Sequence, residues 1–181
     1  MTLAIDWLAP WLAPLRAVAD ADPAGLPVRF VDEGEQPAGE AYEAFIARTG
    51  HVPTRDNLHD HFNRLVWRRH PALKQRLNRL QAGAIAEQGI GSTRGPLRDA
   101  LTLFDEFGAL WPDAPPALTE ALAARDWHAL FVTHRPLWRG HRFEVFGHAL
   151  LEQLTPAPRK GLTADVLLLD PLTLTPVQWA G

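Results

Sequence analysis

The 181-residue chain contains no cysteine at all. That excludes a disulfide framework, a thiolate nucleophile and a cysteine-ligated zinc site, and it fits a reducing compartment. A single serine, Ser92, sits in the Gly-rich segment QGIGSTRG without the GxSxG elbow, so a Ser/His/Asp mechanism has no place to form. The same segment lacks GxGxxG spacing and follows a helical stretch, which makes it a connector instead of a nucleotide loop. No run of about 18 uncharged apolar residues occurs, so no membrane span is expected. The opening MTLAIDWLAPWLAPLRAVAD has no basic region, carries Asp6 within its apolar run and is broken by Pro10 and Pro14. It is not a signal peptide, and the expected location is the cytoplasm. A net charge of -3 gives no bulk attraction to nucleic acid or to an anionic membrane.

What is present describes one globular domain over residues 1–181. A hydrophobic fraction of 46% beside 22% charged residues supplies a core for a chain of this size. Seven Trp against one Tyr favour apolar packing anchors. Residues 3–20 read as short helical turns with Trp7, Trp11 and Leu15 on one face, and Val28–Val31 as extended. In AGEAYEAFIARTG, Tyr42, Phe45 and Ile46 share a helical face and Gly50 supplies the stop. From an N-cap at Thr54 or Asp56, Leu58, Phe62, Leu65 and Val66 recur at helical spacing. Pro71 starts a second helix with Leu73, Leu77, Leu80 and Ile85 on its buried side. PLRDALTLFDEFGALWP is read as two strands around a turn at Asp105–Gly108. A helix follows at about 116–124, then an apolar patch through Trp127, Leu130 and Phe131. EVFGHALLEQL is a short helix ended by TPAP, and LTADVLLLDPLTL is an extended, buried run. The expected architecture is mainly α, a compact helical domain with a small β-hairpin, with α+β as the alternative.

The densest polar stretch is HVPTRDNLHDHFN, residues 51–63, which packs three His, two Asp, two Asn and an Arg into a helix start. Helical spacing puts His59 and Asn63 on one side, in a stripe with Arg55, and turns His61 away. Neutral imidazole serves as a metal ligand or as a general acid/base near neutral pH, so His59 is a candidate for either role. The bland alternative is a half-buried imidazole bonded to a carbonyl, with Asp56 and Asp60 favoured at the positive helix end. His148 and Glu152 form a second i, i+4 pair that can approach one ion from a single face. Gly147, just before, allows another backbone to come close. At the proposed turn Asp105 and Glu106 diverge if the backbone is extended, as Arg98 and Asp99 do, so only one carboxylate would join a site.

The assembled candidate site takes His59, Asp60 and Asp105 as catalytic groups and His59, His148 and Glu152 as metal ligands. Arg55, Asn63 and Arg98 are further binding residues. Two imidazoles and a carboxylate suit zinc or another borderline divalent ion, whose open position would activate water for hydrolysis of a small-molecule substrate. The alternative class is a non-catalytic binding domain. Residues 64–79, RLVWRRHPALKQRLNR, carry Arg64, Arg68, Arg69, Lys74, Arg76 and Arg79 and no acid. Such a stretch would contact a polyanion such as nucleic acid if the cations shared one exposed face. A protein partner is the third possibility, and oligomeric state is not legible.

Three motifs in order, PTRDNLHDHFNRLVW with the following Pro71–Lys74 and Leu77–Asn78, then RDALTLFDEFG, then GHALLE, resemble an uncharacterised bacterial family, domain of unknown function 3025. The resemblance covers roughly residues 5–175. It implies a single-domain bacterial protein and brings no reaction, cofactor or catalytic residue with it.

Overall fold

A computed structural model describes residues 25–89, 95–155, 161–169 and 176–180. The expected turns at residues 3–20, most of the QGIGSTRG connector with Ser92, and Pro156–Pro158 lie outside them. The described part is mainly helical with some β structure, as the periodicity indicates.

The first unit is a strand, a helix and a parallel strand. β1 (Arg29–Asp32) pairs in parallel with β2 (His51–Thr54), Phe30 opposite Val52, and α1 (Tyr42–Thr49) crosses between them. Gly50 ends α1 in the left-handed region at φ 71°, its N–H bonding the Ile46 carbonyl, a conformation that glycine adopts without a Cβ penalty. Ile46, Val52 and Trp67 close a small apolar cluster at this junction.

α2 (Leu58–Arg69) and α3 (Pro71–Gln88) follow, with Pro71 at the first turn of α3 where its missing N–H costs nothing. The cap of α2 is neither Thr54 nor Asp56 but Asn57, whose side chain accepts from the Asp60 N–H at 2.8 Å. Asn57 directly precedes the first helical residue; Thr54 closes β2, and its hydroxyl donates to the Val52 carbonyl. Phe62, Leu65 and Val66 are buried as their spacing requires, whereas Leu58, at the exposed helix start, is 49% exposed.

Residues 96–107 overturn the expected strand pair. They form α4 (Pro96–Phe107), and β3 (Gly108–Pro112) follows directly. Pro96 opens the helix, and the buried Arg98, Leu101 and Phe104 recur at intervals of three, a helical period that outweighs the β-favouring Thr and Phe content. Residues 96–112 accordingly form no hairpin. β3 instead joins a four-stranded sheet of order β4-β3-β5-β6, made with β4 (Glu144–Val145), β5 (Asp165–Leu169) and β6 (Pro176–Ala180). β3 runs parallel to β5 and antiparallel to β4. Between β3 and β4 lie α5 (Pro116–Ala123), a π-helical turn at Ala129–Thr133 and a 3₁₀ turn at Arg135–Trp138. α6 (His148–Leu154) follows β4.

The main core joins α2, α3, α4, β3 and α6 through Phe62, Leu65, Val66, Leu77, Leu101, Phe104, Leu110, Phe146 and Leu151. Phe104 and Phe146 stack at 5.1 Å. Each such side chain contributes about 1.5–3 kcal/mol by leaving water. Their common effect is to clamp α6 between α2 and α4, and that clamp builds the site.

Candidate functional site

Glycine sets the geometry. A Cβ on Gly147 would stand 2.4 Å from the Glu106 carbonyl oxygen and 2.5 Å from the Phe107 nitrogen. Only glycine lets the chain entering α6 lie against the end of α4 this closely. The contact is fixed by the Gly147 and Phe146 N–H groups, which both donate to the Gly108 carbonyl, at 2.7 and 2.9 Å. His148, the next residue, is thereby driven under the last turn of α4, 4% exposed.

There its Nδ1 meets the Asp105 backbone carbonyl at 2.8 Å. A carbonyl only accepts, so Nδ1 carries the proton and Nε2 presents a lone pair. From α2, His59 brings its Nε2 to 3.1 Å from that Nε2, the two rings lying edge to face at 4.5 Å. His59 Nδ1 faces Glu152 Oε2 at 3.0 Å. The carboxylate again fixes the proton on Nδ1 and turns Nε2 inward. Glu106, one residue from the Asp105 carbonyl, places Oε2 3.5 Å from His148 Nε2. The ligating atoms of His59, Glu106 and His148 all lie within 4.8 Å of one another. Burial, then the nearby Lys74 cation, lowers the His148 pKa to about 4, so its imidazole is neutral at physiological pH. Burial likewise raises the Glu106 carboxyl above its ordinary value, against the opposing pull of His59.

The remaining polar groups support this cluster. Asp105's carboxylate accepts from Lys74 Nζ at 2.6 and 2.8 Å, with Lys74 only 4% exposed. Asp60 accepts from the Arg55 backbone N–H at 2.7 Å and from its guanidinium at 3.0 and 3.2 Å. Burial opposes ionisation of Asp60, but the Arg55 bonds and charge win and hold its pKa below the ordinary value. The buried Asn63 donates its amide to the Tyr42 hydroxyl at 3.1 Å. Burial pushes the Tyr42 phenol upward, so it stays protonated. Tyr42, Arg55, Asn63, Asp105 and the three clustered residues line a cleft of about 320 Å³.

Of the candidates drawn from the sequence, His59, His148 and Glu152 come together, with Glu152 on the far nitrogen of His59 and not beside His148 Nε2. Asp105 joins through its carbonyl, Asp60 holds Arg55, and Arg55 and Asn63 line the cleft. Arg98 is buried on α4 and does not line it. Glu106 and Tyr42 were missed as site residues. Glu106 was hidden by reading α4 as strands, although Pro96 and the helical spacing carried the signal. The stretch 64–79 does not offer one exposed cationic face: Arg68 and Lys74 are buried, Arg69 pairs with Glu144, and Arg64 lies over Phe30.

A family model described as protein of unknown function (DUF3025) matches residues 28–178. No curated protein and no solved structure matches the chain.

Proposed function

The chain belongs to this family, whose description carries no reaction, and we propose from the geometry that His59, His148 and Glu106 hold one divalent metal ion in the active site of a metal-assisted hydrolase. The observation that carries the reading is the meeting of two Nε2 atoms at 3.1 Å with a carboxylate oxygen beside them. With each Nδ1 proton held by an oxygen acceptor, two neutral imidazoles and the carboxylate present three acceptors that repel one another, and a cation among them removes the conflict. Tetrahedral ligands at about 2.0–2.1 Å from zinc would stand about 3.3 Å apart, close to the 3.1 Å between the two Nε2 atoms and the 3.5 Å from His148 Nε2 to Glu106. Both Nδ1 atoms are tied to oxygen acceptors, the outer support that metal-bound histidines ordinarily have.

With three protein ligands, a bound zinc would keep a position for water and would lower its pKa to about 7, supplying the nucleophile. The chain's own residues then divide the work. Glu152 and the Asp105 carbonyl aim the imidazoles. Lys74 neutralises Asp105 and fixes that carbonyl. Arg55, Asn63 and the Tyr42 hydroxyl face the cleft, where a small polar substrate fits. Asp60 acts by holding Arg55 and not as a base. The reading takes the chain as one domain, since the ligands come from α2, α4 and α6, and as a cytoplasmic enzyme, in keeping with its lack of cysteine.

The test is metal analysis of tag-free protein beside His59→Ala, Glu106→Gln and His148→Ala. Near-stoichiometric metal in the parent, lost in each variant, with chelator-sensitive cleavage of a chromogenic ester, anilide or phosphoester, is the expected result. A parent without metal whose melting temperature does not rise on adding zinc, manganese or cobalt would refute the reading.

A further inference from the structure

A second surface lies on the connection between α5 and β4, which the site does not use. Four aromatic rings form a ladder there. Trp111 is fully buried and stacks on Trp138 at 4.9 Å and 14°; Trp138 stacks on Phe131 at 6.0 Å and 10°; Phe131 stacks on Trp127 at 6.4 Å and 14°. The inner end is rigid, because Trp138 Nε1 donates to the Leu130 carbonyl at 2.8 Å. The outer end faces solvent: Trp127 is 54% and Phe131 55% exposed. A π-helical turn at Ala129–Thr133 buries Leu130 and turns Phe131 and Val132 outward. Such turns are rare and gather at functional sites.

The charge around the ladder is as one-sided as its rings are apolar. Residues 125–142 hold four arginines and one acid in a chain of net charge -3. That acid, Asp126, is taken up by the Ala129 backbone N–H at 2.8 Å. Arg135 and Arg139 are exposed and line one groove of about 930 Å³ together with Phe131, Trp138 and Phe143. Among the described residues no carboxylate pairs with either arginine.

We propose that this groove binds single-stranded nucleic acid, with unstacked bases extending the ladder from its exposed Trp127–Phe131 end and Arg135 and Arg139 on the phosphates. Charge complementarity selects a polyanion. Near-parallel ring planes select one that carries flat rings with open faces, since base–aromatic stacking works on any base and needs no sequence code. A duplex hides those faces within its own stack. A lipid surface would be met by an apolar protrusion, whereas Phe131, Trp138, Phe143 and the two arginines line a concavity.

The experiment is fluorescence anisotropy with a labelled oligodeoxythymidine of about 15 nucleotides, near the upper site size of one binding fold. Measurements use the full chain at low and moderate salt, with the matching duplex as control. Binding should be selective for the single strand and should quench tryptophan fluorescence. It should weaken about tenfold in Phe131→Ala. In the Arg135→Glu/Arg139→Glu pair it should weaken further and lose part of its salt dependence, about 0.7 in the log–log slope per phosphate contact. All substituted side chains are exposed, and circular dichroism melts confirm that each variant folds. No binding at low salt would overturn the proposal, as would equal binding by parent and variants. So would sedimentation with phosphatidylserine vesicles, or self-association, in place of oligonucleotide binding.

Discussion

Substituting the ion pair between α3 and α4 gives an asymmetric outcome whose order follows from burial. Lys74 is 4% exposed and Asp105's side chain 20%, joined by bonds of 2.6 and 2.8 Å, with the ammonium also 5.5 Å above the Trp67 ring. Asp105→Asn keeps the shape and strands the ammonium in the core, at a cost of about 3–5 kcal/mol. Lys74→Met keeps the apolar stem and strands a carboxylate that water still reaches, at about 2 kcal/mol. The double variant buries no lone charge, so its loss should fall below the sum of the singles by about 2 kcal/mol. Urea unfolding monitored by tryptophan fluorescence measures all three, the midpoint shifting at constant slope. Single losses below about 0.5 kcal/mol, or additive losses, would refute the claim that this pair is a coupled, desolvated unit.

Three further expectations bear on the site and its supports. Gly147→Ala should lower stability by about 3 kcal/mol and abolish metal binding together, because its Cβ meets backbone that cannot rotate away; a normal melting temperature would contradict this. Glu152→Gln should leave the fold intact and weaken metal affinity about 10–100-fold in competition with a chromophoric chelator, and unchanged affinity would remove Glu152 from its supporting role. Glu144 is held below its ordinary pKa first by its bond to His70, then by the charges of His70 and Arg69. A depressed carboxylate stabilises the fold above its unfolded pKa of 4.5, and that stability is lost as pH falls through the folded value. Glu144→Gln should therefore cost about 1 kcal/mol at neutral pH and flatten the acid limb of the stability curve below 4.5; identical acid limbs would contradict the assignment.

The helical parts of the site were open to a reading of periodicity, and the contacts between helices were not. His59 with Asn63, and His148 with Glu152, are pairs that i, i+4 spacing puts on one face. Gly147 before His148 marked a close backbone approach, and the structure has one. What spacing could not give is the partner across the gap: Glu152 serves His59 on α2, not the histidine on its own helix. Glu106 was lost to a local misreading. As strand residues, Asp105 and Glu106 point apart; on the last turn of α4 the Asp105 carbonyl and the Glu106 carboxylate both reach His148. The sheet was hidden for a different reason, since β3 finds its parallel neighbour more than fifty residues later in β5. Such pairing is decided by tertiary packing, which no local window contains. Tyr42 was assigned to the core of α1 by its spacing; its hydroxyl, bonded to Asn63, gives it a second role at the cleft.

The most direct measurement of the central claim is zinc K-edge X-ray absorption on the protein loaded with one equivalent of zinc. Two imidazole nitrogens and a carboxylate oxygen are expected at about 2.0–2.1 Å, with one imidazole's outer-shell scattering lost in His59→Ala and likewise in His148→Ala. Zinc that shows no imidazole scattering, or the same spectrum in the parent and both variants, would contradict the claim.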